Sequence, residues 1–331
     1  MSNDDSHTLN IAYLGPEASF SHQAAIEVFS PSTNTLHPLP SFSAIFSAIQ
    51  ISTHDFAVIP IENSTNGSVV QVLDLLSQCG LDSSAQFPDI EVVAEYYLPV
   101  HHCLFVAQNS DSSSKEIRTI YTHPQVWGQC NRYLSAHFPP NQVERIDVGS
   151  TSAAAQLVSR ETNGSNAAIA SKLAGQRHNL VRLAENIEDE PGSNTTRFFV
   201  VRNRNSKHAR TTGLEQYLSS RTGQSQRYKS LITFTIPHTK PGALADALAV
   251  FKQYHFNLTS IDTRPSRKRN WQYVFFVECE EADNGGTRGI HGEEGNLQRL
   301  LADLQRFTES LQHLGRFQDQ LQREDGIQSK T

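Results

Sequence analysis

Apolar residues recur along this chain in two rhythms, short strand-sized runs and longer stretches spaced at helical period. Leu9 to Leu14 is a strand, ended by Gly15-Pro16. A helix follows from about Phe20 to Phe29, with Ser19 or Ser21 placed to cap it. Ser41 caps a second helix, Phe42 to Ile49, and Asp55 to Ile59 is a buried strand. A polar loop from Pro60 to Gly67 leads to a helix carrying Val69, Val70, Leu73, Leu75 and Leu76. Residues 90–107 hold one or two strands and 117–121 another. A helix then runs from about Gln125 to Ala136, followed by a strand from Val143 to Val148. Ser150 or Thr151 caps a helix over 152–160. Ala167 to Ala170 and Val181 to Leu183 are strands around a helical segment, Ser171 to Gln176, and Phe198 to Val201 closes the region. Strands alternating with helices in this way predict an α/β architecture.

Residues 203–227 lose the large apolar side chains and read as a linker. The pattern restarts at Lys229. Leu231 to Ile236 alternates as a strand, and Pro241-Gly242 opens a helix, Ala243 to Tyr254. Leu258 to Arg264 and Gln272 to Glu278 are two more strands. Glu280 to Gly295 is acidic and glycine-rich and reads as a surface insertion. Leu297, Leu300, Leu301, Leu304 and Phe307 form an amphipathic helix, and a last strand lies near Phe317. The order β-α-β-β-α-β is the ferredoxin-like arrangement. No internal repeat spans the chain.

Composition narrows the picture. The 331 residues carry 28 basic and 34 acidic side chains, a net charge of −6, with no basic block to grip a phosphate backbone. No nucleic-acid partner is expected. Apolar runs such as Phe56 to Ile59 are too short to span a membrane. The N-terminal residues 1–8 are polar and acidic, unlike a secretory or transit signal, and are expected to be disordered. Cys79, Cys103, Cys130 and Cys279 form no CxxC pair and read as buried apolar residues of a reducing compartment. The expected location is cytoplasmic.

Candidate chemistry gathers in four polar segments at the ends of predicted strands, where α/β proteins place ligands. Pro60-Ile61-Glu62-Asn63-Ser64-Thr65-Asn66-Gly67-Ser68 ends at a helix N-terminus, where free amides and hydroxyls suit an anion; a plain capping turn is the alternative. Thr122-His123-Pro124-Gln125 starts a helix on which Gln125 and Gln129 share a face. Gly149-Ser150-Thr151-Ser152 offers three hydroxyls where one cap needs one. Asn194-Thr195-Thr196-Arg197 runs straight into an apolar strand, a rigid place to hold a hydroxyl and a cation on opposite faces. His101, His102 and Cys103 are adjacent on a strand and point apart, so no metal site is predicted. No GxGxxG, P-loop or GxSxG motif occurs. The set suits a small anionic organic substrate and no cofactor.

These segments, in this order, resemble a known family. Gly15-Pro16-Glu17-Ala18-Ser19-Phe20-Ser21 is similar to the GPxGTFS-type opening of prephenate dehydratases. Pro60-Ile61-Glu62-Asn63-Ser64 resembles that family's PIENS loop, His123-Pro124-Gln125 with Gln129-Cys130 its HPQ…QC helix, and Thr196-Arg197-Phe198 its TRF motif. The C-terminal unit resembles an ACT domain, with Gly242-Ala243-Leu244-Ala245 matching a GALA ligand motif. Thr122 stands where a serine is common, and Asp262-Thr263-Arg264-Pro265 replaces an ESRP motif.

The resemblance implies a two-lobed, periplasmic-binding-protein-like α/β catalytic domain over 9–202, followed by a ferredoxin-like α+β ACT domain. One lobe covers about 9–100 plus 190–202 and the other about 101–189. A linker, 203–228, leads to the ACT domain over 229–318 and a tail, 319–331. It implies decarboxylating dehydration of prephenate to phenylpyruvate, on the way to L-phenylalanine, without a cofactor. It also implies phenylalanine inhibition through the ACT domain in a homodimer or homotetramer. Thr196, Glu62 and Asn63 are the expected catalytic residues. Ser64, Thr122, Gln129, Ser150, Thr151 and Arg197 are the expected substrate-binding set. Gly242 to Ala245 and Asp262 to Pro265 are the expected phenylalanine site. Two alternatives stay open, an arogenate dehydratase and a non-catalytic two-lobed amino-acid sensor.

Overall fold

A computed structural model describes residues 8–81, 84–108, 117–161, 164–212, 214, 227–237, 239–281 and 290–321. The expectations for the disordered start, most of the linker, the centre of the acidic insertion and most of the tail lie outside these residues.

The first sheet contains β1 (Leu9–Leu14), β2 (Asn34–Leu39), β3 (Phe56–Asn63), β4 (Gly67–Ser68), β5 (Ile90–Pro99) and a later strand, Thr195–Asn203. Its path is β2-β1-β3, then Thr195–Asn203, then β5, with β4 folded back on β3. β1 and β2 are parallel. Helices α1 (Phe20–Val28), α2 (Phe42–Gln50) and α3 (Val70–Leu76) connect the early strands. Ser19 caps α1, its Oγ accepting from the His22 amide at 3.2 Å, and Ser41 Oγ accepts from the Ala44 amide at 3.1 Å.

The second sheet has the order β10-β6-β9-β7-β8, built from β6 (Cys103–Val106), β7 (Thr119–Thr122), β8 (Glu144–Asp147), β9 (Asn166–Ala170) and β10 (Val181–Ala184). Helices α4 (Pro124–Gln129), α5 (Asn131–His137), α6 (Thr151–Ser159) and α7 (Lys172–Arg177) lie between these strands in the chain. Ala154 and Val158 of α6 pack on Ala168 of β9, all three fully buried, so small residues let helix and strand approach closely. The strand Thr195–Asn203 is β11, and α8 (Lys207–Thr211) follows it.

The third sheet is antiparallel, in the order β13-β14-β12-β15, from β12 (Tyr228–Thr235), β13 (Phe256–Pro265), β14 (Tyr273–Glu281) and β15 (Ser310–Gln318). With α9 (Ala243–Gln253) and α10 (Ile290–Leu304) it is the ferredoxin-like unit expected from the pattern. Its core joins Ile232, Phe234, Phe251 and Val277 to Leu297, Leu300 and Leu304.

Four readings need correction. β2 went unpredicted, because Asn34-Thr35-Leu36-His37-Pro38-Leu39 is mixed in polarity; it is the edge of its sheet, where a proline is tolerated. The polar loop after Ile59 is shorter than expected, since β3 continues through Pro60 to Asn63 and pairs Glu62 with Ser68 and Asn63 with Gly67. The helix from Gln125 to Ala136 breaks at Cys130. There the Gln129 carbonyl accepts from the Asp189 amide at 2.7 Å, and Asp189 Oδ1 takes the Arg132 amide at 2.8 Å, so α5 starts afresh. The segment read as an insertion gives way to helix already at Ile290, and Glu280 is buried in β14.

The chain divides into two compact units. One holds residues 1–45, 57–69 and 97–198, the other 46–56, 70–96 and 199–331. Among the described residues, no helix is long and apolar enough to cross a membrane.

Candidate active site

The centre of the site is a knot of neutral polar groups joining the end of β3 to the start of β11. Asn63 Nδ2 donates to Asn194 Oδ1 at 2.8 Å, to Thr196 Oγ1 at 3.0 Å and to the Thr195 carbonyl at 3.3 Å. Its Oδ1 accepts the Thr65 and Asn66 amides, both at 3.0 Å. That is an Asx turn, which reverses the chain into β4 and uses Gly67 at φ +75°. Ser64 completes the knot. Its Oγ donates to the Ser193 carbonyl at 2.6 Å and accepts the Thr195 amide at 2.9 Å, and its own amide donates to the Thr195 carbonyl at 2.9 Å.

This wiring determines which groups remain free to act. The side-chain groups of Asn63 and Ser64 bond protein groups. Thr196 accepts from Asn63 through Oγ1, so its own hydroxyl hydrogen remains to be donated elsewhere. Thr196 is half-buried, while Arg197 is only 8% exposed. Alternation along β11 sends them to opposite faces, and the Arg197 guanidinium lies over the Tyr97 ring at 5.7 Å. Glu62 is exposed, and the same alternation turns it away from Asn63.

The remaining expected donors belong to the second sheet. Thr122 is fully buried, with Oγ1 donating to the Ile169 carbonyl at 2.8 Å, which ties β7 to β9. Ser150 caps α6 by accepting the Ala153 amide at 3.0 Å, and Thr151 is buried in its first turn. The third hydroxyl, Ser152, donates to the Glu17 carbonyl at 2.5 Å. Glu17 also pairs with Arg177 at 2.5 Å, so the Gly15-to-Ser21 segment is held from α6 and α7.

Gln129 belongs to a network that the sequence left hidden. Its Oε1 accepts from His102 Nε2 at 2.7 Å, with both residues buried. An amide oxygen cannot donate, so Nε2 carries a proton. Burial pushes the His102 pKa down, against the opposing pull of Gln129 and Glu188. Its Nδ1 is buried without a hydrogen-bond partner among the described residues. Glu188 accepts the His102 amide at 3.0 Å and bonds His101 Nδ1 at 2.7 Å. Burial works to raise its pKa, and those hydrogen bonds outweigh it, holding the carboxyl below its usual value. The adjacent histidines lie between β5 and β6, outside both strands, and their side chains go to different partners, Glu188 and Gln129. Among the described residues, no group of three or more His, Cys, Asp or Glu is arranged to hold a metal ion.

In the ferredoxin-like unit, Gly242 caps α9 at φ +79°, a backbone state that side chains disfavour. Ala243 is buried, Leu244 half-buried against the core and Ala245 exposed. Asp262 and Arg264 share one face of β13, Thr263 and Pro265 the other. Arg264 Nε donates to Asp74 Oδ1 of α3 at 2.5 Å, and Arg267 reaches the other oxygen at 3.3 Å.

Comparison with known proteins adds to this geometry. The prephenate dehydratase family model matches residues 11–206, and the ACT domain model matches 230–287. A probable prephenate dehydratase of Saccharomyces cerevisiae is 34% identical over 305 residues, covering 82% of this chain and 87% of that one. A bifunctional chorismate mutase/prephenate dehydratase of Stutzerimonas stutzeri is 36% identical over 271 residues; the match covers 82% of this chain but 65% of that protein. The solved structure of a prephenate dehydratase from Arthrobacter aurescens in complex with L-Phe has a TM-score of 0.74 at 24% identity, covering 94% of this chain and 90% of that one, a likeness of fold. The chain belongs to the prephenate dehydratase family and carries a C-terminal ACT domain.

Proposed function

We propose that this chain is a carbon–oxygen lyase that converts prephenate to phenylpyruvate, with L-phenylalanine acting as an inhibitor through the ACT domain. Family membership over most of the chain supports the reaction, and the observation that carries the site is the unspent hydroxyl of Thr196. In the reaction the ring carboxylate leaves as carbon dioxide. The electron pair of the broken carbon–carbon bond fills the ring, and the ring hydroxyl departs. Aromatisation drives the change, so electrons balance without a redox partner. What the barrier needs is a donor to the leaving oxygen and fixed placement of the substrate's carboxylates.

Thr196 is the proposed donor. An alcohol is a poor acid, so it polarises the leaving oxygen instead of delivering a full proton. Asn63 and Ser64 act by holding Thr196 in place, and Arg197 braces the opposite face of β11. Gln129, with its oxygen occupied by His102, has its amide hydrogens to offer a carboxylate. Ser150 and Thr151, at the N-terminus of α6, are proposed to face the same anion. The edge position of β13, with Leu258 and Ile261 exposed along it, supports homodimer or homotetramer assembly through the ACT unit. Four buried free cysteines agree with a cytoplasmic location.

The test is phenylpyruvate formation from prephenate, with arogenate as the competing substrate, each with and without L-phenylalanine. Thr196→Ala should lower kcat about 10²- to 10³-fold with an unchanged melting temperature, the usual scale for one lost transition-state donor. Thr196→Ser should retain most of the rate. A fully active Thr196→Ala enzyme sinks the site. A higher kcat/KM on arogenate reassigns the substrate, and wild-type protein that binds L-phenylalanine but turns over neither substrate is a sensor.

A further inference from the structure

Strand β12 carries one charged residue, a lysine. Lys229 is 3% exposed, and its Nζ lies 2.8 Å from Asp319 Oδ1, 3.1 Å from Glu95 Oε1 and 3.9 Å from Glu278 Oε1. The carboxylates are as deeply buried, at 1%, 0% and 4% exposure. Taking ions out of water is costly, and such a cluster survives only where further bonds fix its geometry. Those bonds are present. The Gln320 amide donates to Glu95 Oε1 at 2.8 Å, Thr259 Oγ1 to Glu278 Oε1 at 2.8 Å and the Leu321 amide to Asp319 Oδ1 at 3.1 Å. Burial opposes ionisation of Asp319, but Lys229, with hydrogen bonds from the Leu321 amide and Glu95, holds that carboxyl below its usual pKa.

The origin of each member gives the cluster its meaning. Lys229 and Glu278 belong to the ACT sheet, and Asp319 follows its last strand. Glu95 alone comes from β5, the sheet neighbour of β11. The Val100 amide donates to the Asn194 carbonyl and the Arg204 amide to the Asp89 carbonyl, both at 2.8 Å, so β5 and β11 run antiparallel with Glu95 level with the middle of β11. Two close contacts reinforce the joint. A Cβ on Gly315 of β15 would lie 1.9 Å from the Val92 carbonyl oxygen, so only glycine permits that approach. Phe199 of β11 packs on Phe317 of β15, ring centroids 5.5 Å apart.

We propose that Lys229, Glu95 and Asp319 form a buried ionic joint by which the ACT sheet fixes β5 and β11 and so transmits effector occupancy to Thr196. The joint itself stands on the geometry; its regulatory role rests on the dehydratase reading above. Asn63 holds Thr196 locally, so losing the joint spares basal turnover and removes the response to the effector.

Glu95→Ala severs the joint on its β5 side and leaves Lys229 paired with Asp319 and Glu278. Glu95→Gln keeps the shape and one acceptor. In the full-length protein, amide hydrogen exchange over 195–203 should rise at least about tenfold in Glu95→Ala, with exchange over Leu9–Leu14 unchanged. The ratio of initial rates without and with saturating L-phenylalanine should fall at least about fivefold, a coupling loss of ordinary allosteric size, with basal kcat retained. Glu95→Gln should lie between wild type and Glu95→Ala on both readouts, and carries the comparison if Glu95→Ala does not fold. Unchanged exchange over 195–203, an equal rise over Leu9–Leu14, or undiminished inhibition overturns the proposal. Wild-type protein without prephenate turnover instead overturns the dehydratase reading and the regulatory role with it, and the exchange comparison still decides whether the joint holds β11.

Discussion

Two polar knots bear on β11, and they are built from opposite materials. At its start, Asn63, Ser64, Asn194 and Thr196 form a neutral amide–hydroxyl cluster beside exposed residues. Beside its middle, Lys229 and its carboxylates form an ionic cluster out of water. The neutral knot consumes only some of its bonding capacity, because a threonine that accepts from an amide still has a hydrogen to give. The ionic knot is bound the other way: one buried cation holds three carboxylates, so every member depends on Lys229. A site for chemistry requires the first kind of economy, a rigid joint the second.

The largest effect expected from breaking this contrast comes from Lys229→Met. The substitution keeps the chain's length and leaves Glu95, Asp319 and Glu278 without their cation. Removing one partner of a buried ion cluster costs about 3–5 kcal/mol, because the remaining charges stay desolvated. Urea denaturation followed by tryptophan fluorescence and by circular dichroism should show that loss. A change under about 1 kcal/mol would mean that water reaches the carboxylates, and the ionic knot would then be an ordinary surface network.

The two knots also differ in how visible they are in the sequence. The neutral one was legible because its members stand in two short polar runs, each beside an apolar strand, where a hydroxyl next to an asparagine is conspicuous. The β12-to-β15 unit was legible for the same reason, a clean period-2 and period-3.6 pattern. The ionic knot left no comparable mark. Glu95, Lys229, Glu278 and Asp319 are single charged residues in four distant segments, and only strand pairing brings them together. The His102–Gln129 bond was hidden in the same way; the sequence told that His101 and His102 diverge, but not toward which partners. β2 escaped because an edge strand needs little apolar surface, and the end of β3 because its polar residues read as loop although the Asx turn at Asn63 folds β4 back to pair with them.

A second, smaller effect tests the neutral knot. Asn63→Ala deletes bonds to Asn194, Thr195 and Thr196 and the acceptor for the Thr65 and Asn66 amides. Part of this site is open to water, so the expected cost is about 1–3 kcal/mol of stability. Turnover should suffer more than substrate binding, since Thr196 loses its orientation but not its hydroxyl. Asn63→Asp keeps the acceptor and loses the donor, so it should preserve the turn while misdirecting Thr196. If both variants raise KM and leave kcat untouched, Asn63 contacts substrate and does not act through Thr196.

The smallest effect concerns pH, and it separates the neutral knot, which has nothing to titrate near neutrality, from the buried His102 network in the same unit. The folded chain holds His102 neutral, with its pKa below the ordinary 6.5. An unfolded chain binds that proton at about pH 6.5, so below this point the unfolded state carries more protons and stability falls as pH falls. The contribution is fully present above about pH 6.5 and is lost on the acid side, at up to about 1.4 kcal/mol per pH unit. His22, His123, His178 and His313 are also held low by burial, so the slope of the wild-type protein is a sum. His102→Gln isolates one member, because its amide can still reach Gln129 but does not titrate. Urea midpoints measured in steps between about pH 7 and pH 5.5 should show a shallower slope for His102→Gln than for wild type. Equal slopes would mean that His102 protonates as readily in the fold as outside it.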